Sequence, residues 1–134
     1  MPIQLSEEMQ SFLSQPIPAV VSTVRKDGSV QMNPIWYDLD GHRIRLNPTT
    51  SRRWGKRLDA GAEVTLFFID PNNMWRWAEI RGRVTGKTQE GGEEHIDTLS
   101  RRYLGHDYSD HRTDDPRQVV VVEPLRIGGT IDAT

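Results

Sequence analysis

Residues 27–58 read DGSVQMNPIWYDLDGHRIRLNPTTSRRWGKRL. Two Asp-Gly pairs, at 27–28 and 40–41, separate three apolar-rich segments. Asp-Gly between alternating apolar residues is a strong signal for a β-hairpin. The third segment leads into a basic stretch that predicts a helix from about residue 51 to residue 60. Residues 27–58 therefore predict a β-meander that ends at the start of a basic helix.

The rest of the chain predicts more strands than helices. Helical spacing and cap residues predict two further helices, a short one capped by Ser6 and a longer one over residues 92–104 that ends at Gly105. Apolar patterning predicts strands at 19–25, 30–38, 43–47, 64–69, 75–87 and 119–127. Because the helices do not alternate with the strands, we expect one domain, residues 1–134, built as a six-stranded antiparallel β-barrel.

Composition narrows the class of protein. The net charge is −2, with 17 Lys and Arg against 19 Asp and Glu, which argues against a general nucleic-acid or membrane binder. No cysteine is present, so a disulfide framework and a thiolate metal site are excluded. The N-terminus lacks the charged-then-apolar pattern of a signal peptide. We expect a cytoplasmic location.

The predicted start of the basic helix is a candidate phosphate site. Backbone N–H groups and the helix dipole favour an anion there, and arginine adds full charges. Hydroxyl side chains could cap the helix or bind the anion directly, and basic residues four apart share a helix face. The alternative is a solvated basic face on a surface helix. The residues concerned are Thr49, Thr50, Ser51, Arg52, Arg53, Lys56 and Arg57.

Two strands have features that suggest binding. Trp75 and Trp77 share the odd face of their strand with charged residues, a composition typical of an interface or of contact with a planar ligand. The alternative is that both tryptophans pack beneath a turn. Pro34 cannot donate a ladder hydrogen bond, so its strand lies at an edge or contains a bulge that could meet a ligand. An ordinary barrel corner is the alternative there.

The histidines indicate little by themselves. His106 and His111 lie among aspartates, but their spacing matches no metal-ligand pattern. We therefore predict a flexible, solvated loop over residues 106–117. His42 and His95 receive no role. Since no nucleophile–base pair is evident, any reactive group is expected to belong to a cofactor.

Four segments, in their order and spacing, resemble a known family. They are PAVVSTVRKDGS at 18–29, MNPIWYDLDG at 32–41, VTLFFIDP at 64–71 and WAEIRGRV at 77–84. Together with the arginine-rich helix they resemble the pyridoxamine 5′-phosphate oxidase-like split β-barrel proteins. Within these, the chain is most similar to the flavin/deazaflavin oxidoreductases of the F420-type group B. The resemblance covers about residues 5–128.

The resemblance implies a split barrel that forms a homodimer, with two cofactor sites at the subunit interface and F420 or FMN as the cofactor. By position it implies that the backbone of one strand faces the cofactor ring, and that the helix start binds the phosphate. Lys56 and Arg57 could serve the phosphate or an acidic tail, and Trp75 would reach the cofactor from the partner subunit. The ring strand comprises Asn33, Pro34, Ile35 and Trp36, and the phosphate residues are Thr49, Thr50, Arg52 and Arg53.

The chain departs from the family at the basic helix. The family often has Arg-x-Lys-x-x-Asn-Leu there, whereas Trp54 replaces the lysine and Arg57 the asparagine. The function implied is an F420-dependent oxidoreductase that transfers a hydride to an electron-poor small molecule. The alternatives are an FMN-dependent oxidase or reductase, and a non-catalytic protein that binds a flavin or a tetrapyrrole.

Overall fold

In the described part of the chain, seven antiparallel strands form one sheet, and three helices flank it. The computed structural model describes residues 3–131. The elements are α1 (Glu7–Leu13), β1 (Ala19–Val24), β2 (Val30–Ile35), β3 (Tyr37–Asp40), β4 (Arg43–Leu46), α2 (Arg53–Lys56), β5 (Glu63–Asp70), β6 (Asn73–Thr88), α3 (Gly92–Leu104) and β7 (Val119–Gly129). The strand order is β2-β1-β5-β6-β7-β4-β3.

The predicted strand over residues 30–38 is in fact two strands, and this changes the expected count from six to seven. β2 pairs with β1, with Pro34 opposite Val20, whereas β3 pairs with β4. β2 and β3 are the two edges of the sheet, yet only Trp36 separates them in the chain. The sheet must therefore curl until its edges approach each other at Trp36. The expectation that the Pro34 strand lies at an edge is confirmed.

The core follows the alternation predicted for the long strand. On β6, Ala78, Ile80 and Val84 are buried, and the odd positions are not. Gly82 lies between them, where an added Cβ would come within 2.5 Å of a Val122 methyl group. The β6–β7 pair contains a bulge near Pro124, since its register shifts between Arg81 and Gly82.

The first and last helices agree with prediction. The Ser6 side chain accepts a hydrogen bond from the N–H of Met9, which caps α1, and Met9, Phe12 and Leu13 are buried. Helix α3 ends at Gly105, whose φ of 86° is the left-handed conformation that glycine tolerates best. Within residues 3–131, none of the helices has the length and apolarity needed to cross a membrane.

The basic helix is much shorter than predicted. α2 is a single turn, and its N-cap residue is Arg52, which makes no side-chain capping bond. The prediction of a helix over residues 51–60 was wrong. Leu58 donates to the carbonyl of Gly55, and Ala62 to that of Asp59, so the chain tightens and turns toward β5. Lys87 Nζ also donates to the Gly55 carbonyl at 2.8 Å, which gives this carbonyl at the end of α2 a further hydrogen-bond partner.

Candidate functional site

Two cavities meet beside the point where the sheet edges approach. The polar cavity has a volume of about 360 Å³ and the apolar cavity about 680 Å³. They share a wall from β2, the segment after β4, α2 and the loop between α3 and β7. The shared residues are Asn33, Arg52, Trp54, Tyr108 and Arg117. One elongated ligand could therefore occupy both.

The polar cavity is predominantly cationic. Four arginines line it against two aspartates, Asp110 and Asp115. Two of the arginines, Arg52 and Arg53, are predicted site residues, and the other two, Arg112 and Arg117, come from the loop after α3. Arg112 and Arg117 were not predicted as site residues, because no structure was predicted for their loop that would place it beside the helix start. This cavity can hold an anion with several oxygen atoms.

An internal carboxylate already occupies part of the predicted anion site. Asp115 accepts hydrogen bonds from the Ser51 backbone N–H at 3.0 Å, the Ser51 hydroxyl at 2.6 Å and the Thr50 hydroxyl at 3.1 Å. These bonds, the one from the Ser51 hydroxyl foremost, lower the pKa of Asp115 to about 2. The hydroxyl segment therefore binds this internal carboxylate and does not cap α2, whose N-cap residue Arg52 makes no side-chain capping bond. Binding of a ligand phosphate by this segment stays a prediction. Thr49 is buried and pairs with Arg117 in an isolated β-bridge.

The apolar cavity has flat walls. Trp36 stacks on Tyr103 with ring centroids 5.4 Å apart and planes 11° apart. Pro34 and Ile35 from β2 and Ile96 from α3 complete much of the lining. Burial raises the pKa of Tyr103 to about 12, so its hydroxyl stays protonated at neutral pH and donates to a backbone carbonyl. Such a cavity suits a planar ring system.

Some predicted residues lie away from both cavities. Lys56 lines neither cavity, and Trp75 projects from the β5–β6 hairpin with 72% of its surface exposed. Arg57 donates to the Thr23 hydroxyl at 3.1 Å and to Gln31 Oε1 at 2.6 Å. It lines a third cavity of about 540 Å³ beside β1 and β5.

Trp54 explains the departure at the basic helix. Its side chain is only 7% exposed and belongs to the hydrophobic core, yet it also lines both cavities. Where the family pattern has a lysine, this chain has a buried indole that forms part of the wall between the two cavities. The positive charge that this position lacks is supplied instead by Arg112 and Arg117, which line the polar cavity from the loop.

A buried polar network borders the apolar cavity and was not predicted. Arg45 binds Asp38 through two bonds of 2.8 and 2.6 Å, and His95 Nε2 lies 3.0 Å from the same carboxylate. Burial alone would raise the pKa of Asp38, but the bonds from His95 and Arg45 outweigh it and lower the pKa. The available signal was the position of His95, directly before Ile96 at the start of the apolar stripe of α3.

The loop after α3 is tied down at several points, contrary to the predicted flexible loop. His111 lies 2.8 Å from Glu93 through Nδ1 and 2.8 Å from Asp97 through Nε2. Glu93 also accepts the backbone N–H of Arg117 at 2.7 Å. Gly92 permits this packing, since an added Cβ would collide with the Arg117 carbonyl. Among residues 3–131, no cluster of histidine and acidic side chains could hold a metal ion.

The curled seven-stranded sheet with flanking helices is a split β-barrel. A family model described as pyridoxamine 5′-phosphate oxidase matches residues 5–130, so the chain belongs to the pyridoxamine 5′-phosphate oxidase family. The expected family and fold are therefore confirmed, with the strand count corrected to seven. No curated protein matches the chain significantly.

Solved structures support the same fold. An F420 reductase is 30% identical with a TM-score of 0.80, and the match covers 92% of this chain and 98% of that one. The hypothetical protein Rv2991 from Mycobacterium tuberculosis is 17% identical with a TM-score of 0.69, over 94% and 84% of the two chains. HupZ from Group A Streptococcus is 20% identical with a TM-score of 0.63, over 92% of each chain. The last two similarities concern the fold alone.

Proposed function

We propose that this protein is an F420-dependent oxidoreductase that acts on small, electron-poor molecules. The observation that carries the proposal is the pair of joined cavities, one lined by four arginines and the other by flat apolar side chains. A phosphorylated ring system has the same division into an anionic and a planar part. The similarity to an F420 reductase over nearly the whole of both chains supports this choice of cofactor.

The residues fit such a cofactor. Arg52, Arg53 and Arg117 would hold the phosphate, and the wall formed by Trp36 and Pro34 would contact the ring.

A bound reduced F420 would provide hydride-transfer chemistry toward an electron-poor double bond, for which the proton would come from solvent. The chain contributes position and environment. The arginines fix one end of the cofactor, and the apolar walls exclude water from the ring, which strengthens the electrostatic interactions there. No side chain of this protein is assigned a proton-transfer role.

We also propose that the active species is a homodimer. β2 is an edge strand, and none of its six residues is buried. Val30 and Met32 on this strand are 52% and 69% exposed, and Met74 and Trp75 on the β5–β6 hairpin are 62% and 72% exposed. Exposed large apolar side chains on an edge strand and on a hairpin are typical of surfaces that another protein covers.

FMN is the second candidate cofactor. Asp110 and Asp115 line the polar cavity, and Lys56, which could have bound an acidic tail, does not. Two carboxylates near the anchor would repel a tail that carries further negative charge, as that of F420 does. A cofactor that ends at its phosphate, as FMN does, avoids this repulsion.

Titration of the purified protein with F420 and with FMN, followed by ligand fluorescence, tests the proposal. We expect F420 to bind with a dissociation constant well below roughly 100 μM and FMN to bind more weakly. Light scattering coupled to gel filtration should give twice the 15.4 kDa mass of one chain. Failure of both cofactors to bind below 100 μM would contradict the proposed function, and tighter binding of FMN would select the second candidate.

Turnover separates an enzyme from a carrier. Reduced F420 should be reoxidised when the protein is given activated alkenes or quinones, with no loss when oxygen is removed. Binding of F420 without reoxidation across such a panel would indicate a non-catalytic cofactor-binding protein.

A further inference from the structure

The third cavity, beside β1 and β5, carries an excess of positive charge and has no part in the proposed function. Among the described residues, it shares no lining residue with the polar or the apolar cavity. Three arginines line it, Arg57, Arg81 and Arg126, against one carboxylate, Glu63. Glu63 lies 3.7 Å from Arg83, which is not a lining residue, so a cation outside the cavity shares its charge.

Four of the lining residues form one row across the sheet. Ser22 of β1 lies opposite Thr65 of β5, and Thr65 lies opposite Arg81 of β6. Arg81 in turn lies opposite Arg126 of β7. Residues directly opposite each other on neighbouring strands project from the same face of a sheet. The two hydroxyl and two guanidinium groups therefore share one face, and all four residues line the cavity.

Arg81 and Arg126 are like charges placed side by side. Both residues are exposed, so a ligand can reach them from solvent. Neither forms an ion pair or a side-chain hydrogen bond with another residue in the described part of the chain. Like charges directly opposite on paired strands destabilise a sheet. An anion bound between the two guanidinium groups would remove this repulsion.

Arg57 adds a cation whose position is fixed. Its Nη1 donates to the Thr23 hydroxyl at 3.1 Å and to Gln31 Oε1 at 2.6 Å. Both acceptors are neutral, so they orient the guanidinium without compensating its charge. Thr23 also lines the third cavity, which places this end of Arg57 at the cavity wall. A guanidinium that is already oriented loses less conformational entropy when it binds an oxyanion.

We propose that the third cavity is a second anion site, separate from the polar cavity, for a small molecule that carries two or more phosphate or carboxylate groups. A guanidinium group binds the paired oxygen atoms of either group through two parallel hydrogen bonds. The hydroxyl groups of Ser22 and Thr65 are further donors on the same face. A single negative charge would leave most of the three cations uncompensated, and the volume of about 540 Å³ admits more than one such group.

Titration of the wild-type protein with pyrophosphate and with citrate, at constant ionic strength, tests the proposal. In proton–nitrogen NMR spectra, the backbone amides of residues 65, 81 and 126 report on the third cavity, and those of residues 51–53 report on the polar cavity. We expect at least one probe to shift the first set saturably, with a dissociation constant below about 1 mM. Saturation by pyrophosphate alone would select phosphate ligands, and saturation by citrate alone would select carboxylates.

Two double variants separate a specific site from a general effect of charge. Arg81→Ala/Arg126→Ala should weaken binding at the third cavity at least about tenfold and leave binding at the polar cavity unchanged. Arg43→Ala/Arg76→Ala removes the same net charge from residues that line none of the three cavities, and it should weaken binding by less than about threefold.

Two results would overturn the second anion site. One is the absence of a saturable shift at residues 65, 81 and 126 with either probe in the wild-type protein. The other is an equal loss of affinity in both double variants. Neither result bears on the proposed function, because binding of F420 and FMN is measured separately and depends on the other two cavities.

Discussion

The polar and apolar cavities share a wall but are built differently. Arg52, Arg53, Asp110 and Arg112 of the polar cavity are exposed and lie on α2 or the loops beside it. The apolar cavity is lined mostly by buried or half-buried side chains, and a buried network holds Asn47 at its border. The first is an electrostatic anchor that can adjust and that salt will screen. The apolar cavity is more buried and selects a ligand by its shape and its hydrogen-bonding groups.

Loss of the electrostatic anchor should have the largest effect on binding. The double variant Arg52→Ala/Arg53→Ala removes two cations from the polar cavity. Charge-assisted hydrogen bonds contribute about 1.5–3 kcal/mol each, so FMN affinity should fall by roughly 100-fold or more. Riboflavin, which lacks the phosphate, should bind both proteins equally well in calorimetric titration. Arg43 lines neither cavity, so Arg43→Ala is the control. An equal loss of riboflavin affinity would disprove that the polar cavity binds the phosphate and the apolar cavity binds the ring.

Disruption of the buried network beside the apolar cavity should lower the free energy of unfolding. Asp38→Ala leaves Arg45 and His95 without their shared partner in a site where Asp38 is 7% exposed. Removal of one member of a buried ion pair typically costs about 3 kcal/mol or more. Urea unfolding should show a fall of about this size in the free energy of unfolding, whereas Asp40→Ala, at an exposed position, should change it by less than about 0.5 kcal/mol. A small change for both variants would show that the network is not needed to hold the cavity.

Removal of the Asp115 charge should strengthen the binding of a phosphate in the polar cavity, where loss of the arginines weakens it. Asp115→Asn keeps the shape of a side chain that occupies part of the anion site, but removes its charge. Because the carboxylate competes with a phosphate for the same donors, the variant should bind FMN up to about fivefold more tightly at low salt. The gain should shrink at high ionic strength. Weaker binding would mean that Asp115 positions the hydroxyl segment rather than competing for it.

The smallest effect concerns the pH dependence of the loop. Hydrogen bonds to Glu93 and Asp97 raise the pKa of His111. A raised folded-state pKa means that the contribution of His111 is complete below its unfolded pKa of about 6.5 and is lost as pH rises through the folded-state value. Amide exchange in residues 106–117 should therefore accelerate at alkaline pH beyond the intrinsic rate. In His111→Gln this additional acceleration should be absent, and its persistence would assign the effect to another group.

The sequence predicted the sheet better than the site because strands are local patterns and the cavities are not. Alternation along β6 and the two Asp-Gly turns were enough to predict most of the strands. Trp36 shows where local patterns fail. The predicted strand over residues 30–38 is divided at Trp36 into the two edge strands β2 and β3, which only the closure of the sheet reveals. α2 shows another, because the Gly55 carbonyl at its end accepts a hydrogen bond from Lys87, 32 residues away in the sequence.

The site residues that sequence reasoning missed come from distant parts of the chain. Arg117 reaches the site because Glu93 and His111 tie its loop to α3, and no composition rule encodes such a connection. Asn47, which also lines the apolar cavity, had no special neighbours in sequence, and its side chain is held by His95, 48 positions later. The resemblance to the family identified Arg52, Arg53 and Asn33, which line the cavities, but also Lys56, which does not.

Trp54 gives the protein a built-in optical reporter. Its indole is buried in the partition that both cavities share, and Trp36 lies in the apolar wall. A flavin or deazaflavin bound against these two rings absorbs where tryptophan emits, so energy transfer would quench their fluorescence upon binding. Occupancy could then be followed in unlabelled protein, and Trp54→Phe would show how much of the signal comes from the partition itself.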